Sequence, residues 1–105
     1  MTTLVLAGFL VLSAGLLGIS LFGILTRRNF ILLLISIEIG MNAAILNFVY
    51  FGAFAGASTG LTGQAIAVVL IGFAATEIAV GLAIVLALNR LKGSINVAQA
   101  NELKL

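Results

Sequence analysis

The sequence contains no cysteine, histidine, tryptophan or proline. Without thiolate or imidazole ligands it lacks the side chains that usually hold zinc, haem or an iron–sulfur cluster. We therefore expect any redox centre to lie in partner proteins. Without proline, its helices should run unbroken, which argues against the interrupted helices found in many secondary transporters.

Charged residues are scarce as well, at 8% of the 105 residues, and the formal net charge is only +2. So small and scattered a charge excludes the basic surface that nucleic-acid binding requires. In place of charge, 63% of the residues are hydrophobic, and the mean hydropathy is +1.35. A soluble domain of this length cannot bury that much apolar surface. The composition predicts an integral membrane protein.

Three long apolar segments predict an all-α membrane protein with three transmembrane helices. The predicted spans are residues 4–25, 30–54 and 65–88. At 1.5 Å per residue each is roughly 33–37 Å long, enough to cross a hydrocarbon core of about 30 Å. The first span has no basic stretch before it, so it is not a signal peptide. We predict one membrane domain over residues 1–105, with a loop at 55–63 and a short surface tail at 90–105.

The basic residues all fall on one side of this predicted topology. They are Arg27, Arg28, Arg90, Lys92 and Lys104. The two arginines of the link 26–29 and the three residues after the third span share that side, whereas the loop 55–63 carries no charge. The positive-inside rule then places the N-terminus outside and the C-terminus in the cytoplasm, or in the matrix or stroma of an organelle. A role in setting the topology and in anchoring the chain to lipid headgroups is enough to account for Arg27 and Arg28.

Two acidic residues, Glu38 and Glu77, are each the only charge within a predicted span. A central carboxylate costs roughly 2.5–3.5 kcal/mol on insertion scales, so two of them without a basic partner indicate a function. Counted from the basic border at 1.5 Å per residue, they lie roughly 15 and 20 Å deep. We predict that they sit near the membrane midplane at similar heights, as in a lateral proton or ion pathway. The alternative is a neutral carboxyl that hydrogen-bonds a neighbouring helix and stabilises assembly.

The faces of the second span extend this hypothesis. One stripe, at the spacing of neighbouring helical turns, joins Glu38 to Ile35, Asn42 and Ile45. The opposite face is small and polar, with Ser36, Gly40, Ala44 and Asn47. Because lipid favours neither face, we expect this helix to pack against protein on two sides.

Small residues also mark the other two spans. On the third, Gly81 follows Glu77 by one turn and should leave room for water or a close backbone. The predicted packing faces are Ala75, Ala79, Ala83 and Ala87 on the third span, and Ala7, Ala14 and Gly18 on the first. A further series, Gly52, Gly56 and Gly60, runs into the loop and is expected to provide flexibility only. Small-residue faces on all three helices predict larger polytopic neighbours.

Two segments carry a resemblance to a known family. Residues 26–49 begin with Thr-Arg-Arg-Asn and contain Ile-Glu-Ile-Gly-Met-Asn around Glu38. Residues 73–86 contain Ala-Ala-Thr-Glu followed by Gly-Leu-Ala-Ile around Glu77. Both resemble subunit K of respiratory complex I, the proton-translocating NADH:quinone oxidoreductase, and the tail 93–104 is also similar. The sequence departs from the family's pattern at Thr76, where the family usually has Ala, and in lacking an acidic pair near residues 97–99.

This resemblance implies a non-redox subunit of the membrane arm, present once per complex. Its partners would be the antiporter-like and quinone-proximal subunits and the lipid bilayer, with no nucleic acid. NADH, FMN, iron–sulfur clusters and quinone would all be bound by partner subunits. Glu38 and Glu77 would belong to the proton pathway that links quinone reduction to pumping, and Arg27 and Arg28 would support it from the loop. The location would be a bacterial inner membrane, multi-pass, or the organellar equivalent.

Other functions remain as alternatives. The small subunit of a multisubunit cation/proton antiporter or membrane-bound hydrogenase is similar, but the antiporter family usually lacks the acid that corresponds to Glu77. A small multidrug exporter should have four helices and a carboxylate in the first, and residues 4–25 contain none. The proton ring of ATP synthase needs two helices and one acid. A pure assembly scaffold is compatible with the sequence.

Overall fold

The computed structural model describes residues 2–54, 57–92 and Val97. Three α-helices follow one another along the chain. They are α1 (Thr2–Thr26), α2 (Phe30–Phe54) and α3 (Ala57–Lys92). All three are long and apolar enough to cross a membrane, which confirms the predicted fold class. At 1.5 Å per residue α3 is about 54 Å long, and this matches the longest dimension of the described chain, 54 Å.

The helix boundaries have local causes. The side-chain oxygen Oδ1 of Asn29 accepts hydrogen bonds from the backbone N–H groups of Ile31 (2.9 Å) and Leu32 (3.4 Å). Asn29 is thus the N-cap of α2, satisfying amides that lack a partner at a helix start. At the end of α1, the N–H of Arg27 still donates to the carbonyl of Gly23 at 3.0 Å. The turn between α1 and α2 therefore needs only residues 27–29.

The helix α3 begins earlier than the sequence predicts. Residues 57–63 are helical, so the prediction of a loop over 55–63 is wrong for these residues, and 55–56 lie outside the described residues. The length of α3 that the bilayer covers stays a prediction. At the other end, 90–92 belong to the last turn of α3, and the predicted tail beyond Lys92 lies outside the described residues except at Val97.

The helix α2 lies between α1 and α3 and packs against both of them, which confirms the prediction of two protein-facing sides. On the α1 side, Ser13 Oγ donates to the carbonyl of Ala43 at 3.1 Å. The side-chain amide of Asn47 donates to Ser13 Oγ at 2.8 Å. Directed hydrogen bonds of this kind fix the position of one helix against another inside a membrane.

Small residues interlock along the same α1–α2 interface. A Cβ on Gly40 would lie 2.5 Å from Ser20 Oγ, and a Cβ on Gly23 would overlap the hydroxyl of Ser36. Each glycine thus makes room for a serine of the opposite helix. Ser20 and Ser36 are buried, and Ser36 Oγ donates to the carbonyl of Leu32 within its own helix at 2.8 Å.

The residues predicted to form small packing faces on α1 and α3 do not pack inside this chain. Ala7, Ala14 and Gly18 of α1 are exposed, and so are Ala75, Ala79, Ala83 and Ala87 of α3. The face of α3 that contacts α2 is centred instead on the buried residues Ala67, Ala74 and Val85. Helical period predicts which residues share a face, but it does not decide which face meets a neighbour.

Candidate functional site

The close crossing of α2 and α3 is made by glycines. A Cβ on Gly52 would lie 2.8 Å from the backbone N of Gln64 and 3.0 Å from the carbonyl O of Gly60. A Cβ on Gly63 would lie 2.8 Å from the Cα of Gly52. Only glycine allows the two backbones to approach so closely. The expectation that Gly52 and Gly60 serve flexibility alone is therefore wrong, and Gly56 lies outside the described residues.

A second contact fixes the register of α2 and α3 closer to the basic end. A Cβ on Gly81 would lie 2.5 Å from Cδ2 and 3.0 Å from Cδ1 of Leu34. The Leu34 side chain therefore fills the space over Gly81. The prediction of a close backbone at Gly81 is wrong, because the opposing helix supplies a leucine. Gly81 also lines a hollow of about 420 Å³, so the predicted room for water stays a prediction.

This register brings Glu38 and Glu77 to one level. Glu38 lies four residues beyond Leu34 along α2, and Glu77 lies four residues before Gly81 along α3. The helices are antiparallel, so each carboxylate is displaced from the Leu34–Gly81 contact by about 6 Å in the same direction. Their equal height was predicted from the sequence by counting from the basic border. The depth of the two glutamates relative to the bilayer midplane stays a prediction.

Each glutamate is half-buried and lines a separate hollow beside the α2–α3 contact. The hollow at Glu38 has a volume of about 270 Å³. Apart from Glu38 its walls are aliphatic: Ile31, Leu34, Ile35, Ile39, Ile78 and Leu82. The hollow at Glu77 measures about 420 Å³. Its other walls are Leu34, Phe73, Thr76, Val80, Gly81 and Ile84.

Polar partners for the two carboxylates are absent from the described residues. Within 2–54, 57–92 and Val97, no hydrogen bond or ion pair reaches Glu38 or Glu77. The one hydroxyl in their walls, Thr76 Oγ1, donates to the carbonyl of Phe73 at 2.7 Å and so serves its own helix. Both carboxylates thus face the hollows, where water or a partner subunit could reach them.

The two link arginines lie apart from this pair. Arg27 and Arg28 are exposed, in the turn between α1 and α2. The N–H of Val97 donates to the carbonyl of Arg28 at 2.7 Å, so the chain beyond α3 returns to this turn. The structure therefore places Arg27, Arg28, Arg90 and Lys92 at one end of the molecule. Lys104 lies outside the described residues.

The site offers ionisable groups as its chemistry. Among the described residues there is no group of three or more His, Cys, Asp or Glu side chains that could hold a metal ion. What the structure offers is a pair of ionisable groups on adjacent helices in apolar surroundings. Intramembrane acids of this kind mark ion and proton pathways.

Leu34 is the site residue that sequence reasoning missed. It lines both hollows and covers Gly81. In the sequence it is one of three consecutive leucines at 32–34, with nothing to distinguish it from its neighbours. Only its spacing, one turn before Glu38, could have drawn attention to it.

Comparison with known proteins assigns the family. The sequence profile of the family described as NADH-ubiquinone/plastoquinone oxidoreductase chain 4L matches residues 8–105. The chain is 48% identical over 95 residues to NADH-quinone oxidoreductase subunit K of Anaeromyxobacter sp. (strain K), covering 90% of this chain and 93% of that protein.

Two further relatives agree over greater lengths. Subunit K 1 from Syntrophobacter fumaroxidans is 46% identical over 99 residues, or 94% of this chain and 96% of the relative. Subunit K from Bacillus anthracis (strain CDC 684) is 41% identical over 104 residues, or 99% of each. These matches confirm the resemblance seen in the sequence: the chain belongs to the NADH-ubiquinone/plastoquinone oxidoreductase chain 4L family, which its bacterial subunit K relatives represent.

Proposed function

We propose that Glu38 and Glu77 pass protons laterally between neighbouring subunits in the membrane arm of a proton-translocating NADH:quinone oxidoreductase. As a member of its family, the chain is a multi-pass membrane subunit of that enzyme complex. We propose that its contribution to the complex is proton transfer through these two carboxyl groups. In this proposal NADH, FMN, iron–sulfur clusters and quinone are all held by partner subunits.

The observation that carries the proposal is the common level of Glu38 and Glu77 on antiparallel helices. A vertical pore would stack its ionisable groups at different depths along the membrane normal. Two carboxylates at one depth, each in its own hollow, instead extend a path sideways. Their half-buried positions also suit groups that exchange protons with neighbours, because a fully enclosed acid would have no route in or out.

The unpaired faces support partners on both flanks. The alanine stripe of α3 and the small face of α1 are exposed, and small residues are the usual contacts between membrane helices. We propose that antiporter-like subunits and quinone-proximal subunits cover these flanks, with one copy of the chain per complex. The proposed location is a bacterial inner membrane, or the organellar equivalent.

The basic end supports the proposed orientation. Arg27 and Arg28 in the turn lie at the same end as Arg90 and Lys92 of α3, and basic residues favour the cytoplasmic side. The N-terminus is then outside and the C-terminus cytoplasmic. We further propose that Arg27 and Arg28 support coupling from the turn, where their exposed side chains are available to a partner subunit or to lipid headgroups.

The test replaces Glu38 with glutamine, which keeps the size and hydrogen-bonding capacity of the side chain but cannot ionise. Because glutamine has nearly the same shape, Glu38→Gln should leave the complex assembled on native gels. Because the relay needs an ionisable group, quinone-dependent NADH oxidation and ΔpH formation in membrane vesicles should fall together. Glu102→Gln, the same change outside the predicted spans, is the matched control and should retain both activities.

Two outcomes would contradict the proposal. Full pumping by Glu38→Gln would remove this residue from the proton path. Loss of assembly in Glu38→Gln, but not in Glu102→Gln, would favour the structural alternative, in which the carboxyl holds a neighbouring helix in place.

A further inference from the structure

The two carboxylates share a level but not a cavity. The hollow of Glu38 and the hollow of Glu77 lie on opposite flanks of the α2–α3 contact. Among the described residues, Leu34 alone lines both of them. Its methyl groups rest over Gly81, where a side chain of α3 would otherwise stand. An aliphatic side chain thus stands between the two hollows that the acids line.

We propose that Leu34 is a barrier to proton transfer between the two hollows, and that a proton crosses only when its side chain leaves Gly81. The proposal deepens the proposed function and rests on it, because a barrier matters only if Glu38 and Glu77 relay protons.

The physical argument concerns water. Water enters a buried space when the space is large enough and offers two to four polar partners. The hollows are open at the surface of the chain and measure about 270 and 420 Å³, whereas water takes up only about 30 Å³ per molecule in the liquid. Each hollow has a carboxylate to hold water, but the contact between them has only the methyl groups of Leu34 and the backbone of Gly81.

The contact is also suited to opening. Gly81 has no side chain, so at this position α3 presents only its backbone to Leu34. A leucine changes rotamer at modest cost when space is available, and a hollow lies on either side of it. A rotamer change would open the contact between the two hollows to water, without any movement of the helix backbones.

A barrier of this kind would protect the coupling of the enzyme. If water joined the hollows permanently, a proton could equilibrate between Glu38 and Glu77 at any stage of quinone reduction. The order of proton movements that makes pumping obligatory would then be lost. Removal of the barrier should lower the number of protons pumped per NADH rather than the rate of NADH oxidation.

The experiment measures that ratio in membrane vesicles, normalised to assembled complex on native gels. In Leu34→Ala the protons pumped per NADH oxidised should fall about twofold or more while NADH oxidation changes less. A defect in turnover alone would lower pumping and oxidation by the same factor and leave their ratio unchanged. Leu33→Ala is the matched control. Leu33 is an adjacent half-buried leucine of α2 that lines neither hollow, so its ratio should stay at the unmodified value.

A swap variant tests whether the barrier depends on side-chain volume at this place rather than on Leu34 itself. In Leu34→Ala with Gly81→Leu, α3 supplies the aliphatic side chain that α2 has lost. The ratio should rise above that of Leu34→Ala. If Leu34→Ala does not assemble, Leu34→Val removes a single methylene and should give the same loss at smaller amplitude.

The outcomes separate this proposal from the one on which it rests. If Glu38→Gln stops pumping but every assembled Leu34 variant keeps the unmodified ratio, the relay stands and the barrier is overturned. An equal fall in Leu33→Ala and Leu34→Ala also overturns it, because the effect would then belong to packing. If Glu38→Gln pumps in full, both proposals fall.

Discussion

The close approach of α2 and α3 at Gly52 predicts how much stability a single added methyl group removes. Gly52→Ala would place a Cβ 2.8 Å from the backbone N of Gln64, 3.0 Å from Gly60 O and 3.1 Å from the carbonyl carbon of Gly63. Ordinary van der Waals contact begins at 3.4 Å. All three neighbours are backbone atoms, so no side chain can turn aside. The two helices must separate by several tenths of an ångström along this end.

Overpacking of this kind costs about 1–3 kcal/mol. Gly→Ala in a helix also has a favourable component of about 0.8–1.0 kcal/mol from helix propensity, which masks part of the clash. Gly72→Ala isolates that component, since a Cβ on Gly72 meets nothing within 4 Å. The difference between the two variants is then the clash alone, about 1–3 kcal/mol, or roughly 5- to 140-fold in the equilibrium at 1.4 kcal/mol per factor of ten.

The assay is the temperature at which half of the chain leaves the assembled complex, read from native gels of solubilised membranes. Gly52→Ala should have a lower midpoint than Gly72→Ala, and Gly72→Ala should match or exceed the unmodified chain. Equal midpoints for the two variants would refute the reasoning, because they would show that the close approach at Gly52 is not part of the assembled structure.

Two further predictions concern the site and the topology. In a Glu38→Ala background, Ile35→Glu places a carboxylate in the wall of the same hollow and should restore part of the quinone-linked pumping. Asn42→Glu, at an exposed position outside that hollow, should restore less. Equal rescue by the two variants would show that the hollow does not define the proton path. Because the chain has no cysteine, a single introduced cysteine reports on its own position. Thr3→Cys should react with an impermeant thiol reagent added outside, and Arg27→Cys should react with reagent added on the cytoplasmic side; both positions are exposed. The reverse pattern would overturn the proposed orientation.

Much of the fold follows from composition. With 63% hydrophobic residues, the three helices and their membrane class are predictable. Only helices and closed barrels satisfy the backbone in lipid, and continuous apolar segments of this length are typical of helices. The start of α3 was missed because Gly, Ser and Thr in 57–63 are typical of turns. Their helical state depends on the close approach to Gly52, which is a tertiary contact and leaves no local signal.

The candidate site, like the fold, could be predicted from the sequence only in part. Glu38 and Glu77 could be identified from the sequence because a charge in an apolar span is conspicuous and costly. What fills the space at Gly81 could not, since that depends on which residue of α2 lies opposite. A register between helices is set by packing along their whole length, and a single side chain such as Leu34 gives no indication of it.

The two interfaces of α2 differ in what a small movement would cost. Against α1, Ser13 and Asn47 form directed hydrogen bonds, and in an apolar medium a lost hydrogen bond leaves polar groups unsatisfied. Against α3, the contact near the glutamates is apolar, and within residues 60–91 no side-chain hydrogen bond joins α3 to α2. The α1–α2 pair is therefore held by polar as well as apolar contacts, whereas near the glutamates α3 is held by close packing alone. Resistance to sliding between α2 and α3 then depends on the fit of Leu34 against Gly81 and of Gly52 against Gly60 and Gly63.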